Sequence, residues 1–111
     1  MNEYKIYQVR TEFIREFGFR ALQEIRRAFP DLLGLPREAW TQVYALRREG
    51  KTSCDWIYAL FQRGHGDCPE DFTGHSMAVS DIIETPDGTL WFCDRSGWAR
   101  VRWSPEKEAE T

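Results

Sequence analysis

Long hydrophobic runs are missing from this sequence, and none approaches the ~18 apolar residues of a membrane-spanning helix. The N-terminus also lacks the basic and then apolar regions of a secretory signal peptide. Cysteine is scarce, and Cys54, Cys68 and Cys93 form an odd set without a disulfide-like spacing. These absences argue against a membrane-spanning or disulfide-stapled domain and predict a cytoplasmic protein with reduced thiols.

A basic excess is missing as well, since 15 Lys and Arg stand against 18 Asp and Glu for a formal net charge of −3. This balance argues against a dedicated DNA-binding domain, which usually presents a basic face. The charge is uneven: residues 1–50 carry 9 basic and 7 acidic side chains (+2), whereas residues 51–111 carry 6 and 11 (−5). The acidic half suits docking onto a basic protein surface, including one that normally holds nucleic acid. An acidic surface retained only for solubility is the alternative.

The chain of 111 residues fits one domain, which we expect over residues 1–103, followed by a disordered charged tail at 104–111. Strands are predicted at 4–9, 40–46, 77–84, 89–94 and 98–103, and helices at 11–28 and 53–63. These elements predict an α+β fold, with an antiparallel sheet of about five strands and two helices packed on one face. Both faces of the first strand are partly apolar, so we place it centrally.

Several local signals refine this outline. Gly18 interrupts the apolar stripe of the first helix. Thr52 is predicted to cap the second helix, with Asp55 completing a capping box. Phe72 is expected to anchor the polar loop 64–75, and Pro86-Asp87-Gly88 predicts a hairpin with a left-handed glycine. Strict alternation would place four residues of the second strand on one face: Trp40, Gln42, Tyr44 and Leu46.

Histidine and cysteine are present without a complete metal or catalytic signature. His65 and Cys68 have the spacing of one zinc-ligand pair, but His75 and Cys93 stand apart. Cys54, at the first turn of a helix, would have a lowered pKa, and His65 or His75 would be its candidate base. No cysteine lies in a family-type catalytic signature. We therefore expect no metal, no cofactor and no enzymatic activity.

Asp81 is the most informative single residue. Within the predicted third strand it shares a face with apolar side chains, where a carboxylate is costly unless it is hydrogen-bonded. The favoured interpretation is structural: Asp81 accepts bonds from backbone N–H groups of a neighbouring loop, or from Ser76, Ser80 or an arginine. The alternative is a general base. Asp94 is similar, because it precedes the turn at 95–97, where Asp side chains commonly bond to the backbone.

The final hairpin mixes aromatic and basic residues. Such surfaces can stack nucleobases, although cross-strand pairs and cation–π contacts within the fold are the more common use of these residues. The residues concerned are Trp91, Trp98, Trp103, Arg95, Arg100 and Arg102.

Four stretches of the sequence form a recognisable set: residues 4–9 (YKIYQV), 43–44 (VY), 71–82 (DFTGHSMAVSDI), and Asp94 followed by Gly97 and Trp98. This set resembles the YodL-like domain over about residues 4–101. Two departures exist, since Ala78 stands where the family usually has serine, and Trp91-Phe92-Cys93 replaces a tyrosine-rich segment.

The resemblance implies a module found in plasmids, phages and conjugative elements of Firmicutes, and it carries no catalytic residues across. Together with the small size and acidic charge, it predicts a non-enzymatic protein-binding module of a mobile genetic element. The sharpest form is an anti-CRISPR protein that inhibits a host nuclease by competing with nucleic acid through an acidic surface. The alternative is a nucleic-acid-binding accessory factor of a plasmid or conjugative element.

The expected partner is a host protein with a basic surface, such as a CRISPR nuclease, and direct contact with nucleic acid is less favoured. An exposed edge among the final strands would allow a homodimer. The residues expected to contact the partner are Asp67, Glu70, Asp71, Glu84, Asp87, Arg95 and Trp98. The residues expected to build the scaffold are Gly74, His75, Ser76, Ser80, Asp81, Asp94 and Gly97.

Overall fold

The computed structural model describes residues 1–105. Within this range the chain forms five strands and three short α-helices, with 3-10 turns at Thr11–Phe13 and Arg37–Ala39. The strands are β1 Asn2–Val9, β2 Trp40–Arg48, β3 Ile82–Glu84, β4 Leu90–Asp94 and β5 Gly97–Val101. The helices are α1 Ile14–Phe17, α2 Leu22–Ala28 and α3 Cys54–Leu60.

The strands form one antiparallel sheet in the order β2-β1-β3-β4-β5. This arrangement confirms the predicted α+β class, and it confirms the internal position of β1. Tyr4 and Ile6 of β1 belong to one buried cluster, whereas Tyr7 and Val9 belong to another. A strand with apolar side chains on both faces is stable only where both faces are covered.

The two buried clusters lie on opposite faces of the sheet. Ile82 and Ile83 are consecutive in β3, so their side chains point to opposite faces. Ile82 packs in the cluster that contains Ile25 of α2, and Ile83 packs in the cluster that contains Ile57 of α3. We call the α2 side the first face and the α3 side the second face. The expectation that the helices share one face is therefore corrected: each face of this apolar sheet has its own cover.

The predicted helix over 11–28 is broken in the structure. Gly18 ends α1 in an extended conformation, and Phe19 then takes the left-handed conformation with φ 59°. A helix cannot continue through either conformation, so α2 starts only at Leu22. Glu24 accepts a hydrogen bond from the backbone N–H of Ala21 and thereby satisfies the start of α2.

The predicted third strand is shorter than expected. Ser80 has φ 84°, which interrupts an extended chain, and β3 begins only at Ile82. The predicted helix cap is also shifted by one residue, because Ser53 rather than Thr52 accepts the backbone N–H of Trp56. The predicted hairpin is confirmed: Gly88 has φ 86° and donates its N–H to the carbonyl of Thr85.

The C-terminal end of the described chain is tied to the first face. The N–H of Ser104 donates to the carbonyl of Leu35 at 2.8 Å, and Leu35 donates to Arg102. Most of the predicted tail 104–111 lies outside the described residues. Within residues 1–105, no helix is both long enough and apolar enough to cross a bilayer.

Candidate functional site

The signature run around residues 72–81 closes onto the middle strand of the sheet. Phe72 is 1% exposed and packs edge-on against Phe61 of the second face, which confirms its predicted role as the anchor of the loop. Gly74 then passes so close to β1 that an added Cβ would overlap Gln8 Oε1 and lie 2.9 Å from the Phe72 ring. Glycine is required at position 74 because no side chain fits between loop and strand.

Gln8 is the residue that joins the loop to the sheet. Its side-chain Nε2 donates to the carbonyl of His75 at 2.8 Å and to Asp81 Oδ2 at 3.0 Å. Its Oε1 accepts the backbone N–H of His75 at 3.2 Å. Gln8 is 2% exposed, and a buried amide must find such partners because water cannot supply them.

Asp81 is 1% exposed and ends the same network. Its Oδ2 accepts the N–H of Ala78 at 3.0 Å in addition to Gln8, which confirms the expected backbone donor; neither serine nor arginine contributes. Its Oδ1 has no hydrogen-bond partner among the described residues. Burial outweighs the bonds from Ala78 and Gln8 and raises the pKa of Asp81 to about 8. The carboxyl is therefore mostly protonated at neutral pH.

Ser80 holds the strained turn before β3. Its N–H donates to the carbonyl of Cys93, its own carbonyl accepts Trp40 Nε1, and its Oγ accepts the N–H of Phe19, all at 2.9 Å. Two residues with positive φ, Phe19 and Ser80, are thus bonded to each other. A left-handed conformation at a non-glycine residue persists only where neighbouring bonds fix it.

His75 lies at the outer end of this network. Its ring packs at a tilt of 44° against the half-exposed ring of Phe19, with centroids 5.3 Å apart. Its Nδ1 lies 2.7 Å from the carbonyl of Ser76, and the Ser76 hydroxyl accepts the N–H of Arg63. Gln8 Nε2 lies 3.4 Å from the imidazole Nδ1 and donates to Asp81, so the amide stands between the histidine ring and the carboxyl. Among the described residues, no direct hydrogen bond joins the imidazole to Asp81, which supports a structural interpretation of both residues.

Burial works against the reactivity of the candidate catalytic thiol Cys54, and the candidate metal ligands form no cluster among the described residues. Burial, and then the Asp55 carboxylate, raise the pKa of the Cys54 thiol to about 11, which is opposite to the lowered pKa predicted from its helix position. Burial likewise raises the pKa of Cys93 to about 12. Within residues 1–105, no three His, Cys, Asp or Glu side chains cluster as metal ligands. His65 and Cys68 share a backbone turn, but they form no such cluster with His75.

Asp94 and Gly97 form the turn between β4 and β5. Asp94 Oδ1 accepts the N–H of Arg95 at 2.9 Å and that of Leu22 at 3.3 Å, so the carboxylate ties the turn to the start of α2. Gly97 has φ 137° and pairs with Asp94 across the hairpin. Arg95 forms an ion pair with Glu24 at 2.8 Å, which adds a second link to α2.

The residues predicted to contact a partner are divided between the two faces. Asp71 accepts the hydroxyl of Tyr44 on the second face, and Trp98 donates to Asp55 of α3 at 2.9 Å. Glu84 accepts the hydroxyl of Tyr7 on the first face. The remaining acidic residues are also divided between two places. Asp67 and Glu70 are exposed in the loop that contains Asp71, whereas Asp87 lies in the β3–β4 hairpin. The expected set therefore forms no single acidic surface.

Each face of the described structure has a depression that is open to solvent. The first, on the first face, has a volume of about 970 Å³ and lies between α2, the loop at 29–35 and the ends of β4 and β5. The second, on the second face, has a volume of about 510 Å³ and lies between β2, α3 and the loop at 65–69. Trp56 lines the second depression and is 41% exposed, and the guanidinium of Arg48 stacks 4.1 Å from its ring.

Two of the three tryptophans of the final hairpin, Trp98 and Trp103, pack inside the fold. Trp103 packs on Tyr7 and Trp40 of the first face. Trp98 packs edge-on against Tyr58 and donates its indole N–H to Asp55. Rings committed to such contacts are less available to stack on nucleobases, so Trp98 and Trp103 give the nucleic-acid alternative little support.

Sequence reasoning missed three residues that matter here. Gln8 is polar in the middle of an otherwise apolar central strand, and this mismatch was the available signal for a buried network. Trp56 lies beside the apolar residues of its helix in the sequence, which is typical of a buried side chain, yet it is partly exposed. The left-handed conformation of Phe19 had no signal, because phenylalanine is not a residue that favours it.

The family model of the YodL-like domain matches residues 3–103, nearly the whole chain. No curated protein and no solved structure matches the chain. The match covers the strand that carries Gln8, the signature run with Gly74 and Asp81, and the closing hairpin. The chain belongs to the YodL-like domain family.

Proposed function

We propose that this protein is a non-enzymatic protein-binding module that contacts a basic partner surface through the acidic loop Asp67, Glu70 and Asp71 together with Trp56. One observation carries the proposal: a partly exposed tryptophan and Asp67 line the same depression, and two further exposed carboxylates follow within four residues. Tryptophan is enriched among the residues that dominate binding energy, and surrounding charges steer the partner and fix its orientation.

The surface is held in place before binding. Asp71 accepts the Tyr44 hydroxyl at 2.9 Å, and Phe72 anchors the loop directly behind it. The cation–π contact with Arg48 restricts the indole of Trp56. A loop that is already ordered loses less conformational entropy on association, which favours its use as a recognition surface.

The buried polar network supports a scaffolding role for the signature residues. Asp81 is enclosed and neither depression reaches it. Gln8 bonds both backbone groups of His75, four residues after Asp71, and so fixes the C-terminal end of the loop that presents the acidic residues. The signature residues thus act on the partner only through the position of that loop.

The sharper form of the proposal is an inhibitor of a host CRISPR nuclease, acting in the cytoplasm on behalf of a mobile genetic element. Closely spaced carboxylates resemble the charge of a phosphate backbone, and a basic channel that holds nucleic acid would accept them. Glu84 and Asp87 are not part of this surface, because they lie on the first face.

The test is a pull-down of tagged protein against purified host CRISPR nucleases at low and at physiological salt. We expect binding by the wild type that weakens with salt, and at least about a tenfold loss of affinity in the variant D67N/E70Q/D71N. The matched control E12Q/E16Q/D31N changes the net charge equally at exposed positions elsewhere and should bind normally.

Trp56→Ala tests the contribution of the indole separately from that of the charges. The variant should fold at the wild-type rate and associate with the partner at the same salt-dependent rate, but the complex should dissociate faster. The proposal would be contradicted if no nuclease bound the wild type at low salt. An equal loss of affinity in the triple variant and in its charge-matched control would also contradict the proposal, because net charge alone would then explain binding.

A further inference from the structure

The depression on the first face has a charge opposite to that of the chain. Three arginines and one aspartate line it, Arg26, Arg100, Arg102 and Asp87, for a local charge of +2 in a chain of net charge −3. Arg100 pairs with Trp91, so its side chain starts on the second face. The positive charge at the cleft therefore comes mainly from Arg26 and Arg102, and Asp87 offsets it in part, so that without Arg100 the excess is smaller but still positive.

Arg102 is positioned by the loop that forms the lip of the cleft. Its Nε donates to the carbonyl of Leu33 at 3.2 Å. This bond uses one of the five N–H donors of the guanidinium and orients the others. Arg26 is exposed on α2, on the opposite wall. A ligand in the cleft would thus meet an arginine on each side.

The floor and the lip of the cleft are apolar. The floor is built from side chains of the first buried cluster, including Leu22, Ile25 and Leu90. At the lip, Leu33 is 68% exposed and Leu32 is 39% exposed. Large aliphatic side chains standing in solvent beside an apolar floor are typical of a surface that is covered by a partner.

We propose that this cleft binds an acidic segment of a protein partner, whose apolar side chains fill the floor and whose carboxylates pair with Arg26 and Arg102. Charge complementarity selects an acidic occupant, because two guanidinium groups flank an apolar trough. The open shape favours a peptide segment, since a pocket for a compact ligand buries most of that ligand's surface, whereas the exposed leucines extend the contact outward.

This surface is independent of the acidic loop proposed above. It lies on the other face of the sheet and has the opposite charge. Two surfaces of this kind would let one small domain hold an acidic and a basic partner at the same time. Failure of either surface leaves the other untouched.

The test is selection of peptides from a random display library on the wild-type protein. We expect enrichment of sequences that combine Asp or Glu with Leu, Ile or Phe. The best peptide is then measured by fluorescence anisotropy, and its site is mapped by amide chemical shifts. R26Q/R102Q should weaken it at least about tenfold, whereas R10Q/R27Q, with the same charge change at exposed positions outside the cleft, should bind normally.

Arg102 also supports the lip of the cleft, so its replacement could weaken binding by disturbing the fold. A second variant distinguishes this effect from the loss of a charge contact. Leu33→Ser removes only an exposed side chain, so it should fold normally and still weaken the peptide. The proposal would be overturned if no acidic and apolar sequence were enriched, or if R26Q/R102Q bound the selected peptide like the wild type. Shifts at the cleft with decanoate, without peptide enrichment, would overturn it in favour of a small amphipathic anion.

Discussion

Replacing Asp81 with asparagine is expected to remove a large part of the pH dependence of folding stability. Burial raises the pKa of this carboxyl from 3.8 to about 8 in the folded protein. Between these two pH values the unfolded chain releases the proton and the folded protein retains it. The unfolded state therefore binds fewer protons, and the free energy of unfolding decreases as the pH rises through this window.

The magnitude follows from the width of the window. A span of about 4 pH units, at about 1.4 kcal/mol per unit, sets an upper bound on the order of 5 kcal/mol. Asparagine resembles the protonated carboxyl: its oxygen can accept from Ala78 and Gln8, as Oδ2 does now. Its NH₂ group would take the place of Oδ1, which has no hydrogen-bond partner among the described residues.

The assay is urea unfolding from about pH 4 to about pH 9, followed by tryptophan fluorescence. Asp81→Asn should match or slightly trail the wild type near pH 4 and exceed it in stability by several kcal/mol above about pH 8. Asp31→Asn, an exposed carboxylate in the loop after α2, is the matched control and should follow the wild type.

Parallel stability profiles for the wild type and Asp81→Asn would refute the reasoning. Such a result would mean that the carboxyl is ionised in the folded protein at neutral pH, and hence that water or a cation reaches Oδ1. The interpretation of Asp81 as a closed architectural residue would then fail, and its suitability as a base would have to be considered again.

Three other predictions concern the loop and the helix that surround this network. Gly74→Ala should lower the free energy of unfolding by roughly 1–3 kcal/mol in urea titrations, because the new methyl group overlaps Gln8 Oε1. An unchanged urea midpoint would contradict the close approach of Gly74 to Gln8. Ser53→Ala should cost about 1 kcal/mol and Thr52→Ala much less, because Ser53 is the residue that caps α3; the reverse order would restore the cap predicted from the sequence. Cys54 should react with iodoacetamide far more slowly than a free cysteine at pH 8, and the rate of alkylation, followed by mass spectrometry, should rise only as the pH approaches its pKa of about 11. Rapid alkylation at neutral pH would show that burial does not suppress the thiolate.

Local signals in the sequence were sufficient for much of the fold. The apolar faces of residues 4–9 placed β1 inside the sheet, as found. Pro86-Asp87-Gly88 specified its hairpin because only glycine adopts φ 86° at low cost. Phe72 stood out as the only large apolar residue in a polar loop, and it is buried.

The prediction for the faces of β2 was wrong because it assumed regular pairing with the neighbouring strand. Trp40 and Leu46 were expected on one face of β2, yet they belong to clusters on opposite faces. Pairing with β1 shifts between Ile6 and Tyr7 and leaves Val43 as an extra residue. Beyond a β-bulge of this kind, each side chain points to the opposite face from the one that strict alternation predicts. The local sequence carries no signal for the bulge.

The candidate site shows the same division. Asp81 was identified from its chemistry, since a carboxylate in an apolar segment needs partners. Its main side-chain partner, Gln8, is 73 residues away along the chain. The acidic residues were also identified, but their separation onto two faces depends on the topology of the sheet.

The sequence by itself determined the class of fold, the central strand, the turns and the residues whose burial would require explanation, because periodicity and turn chemistry are local properties of the chain. Only the tertiary structure decided which face each helix covers, where the alternation of β2 reverses, and which charges meet at one surface. Those features depend on contacts between residues distant in sequence, and each is fixed by packing and register rather than by the preference of any single residue.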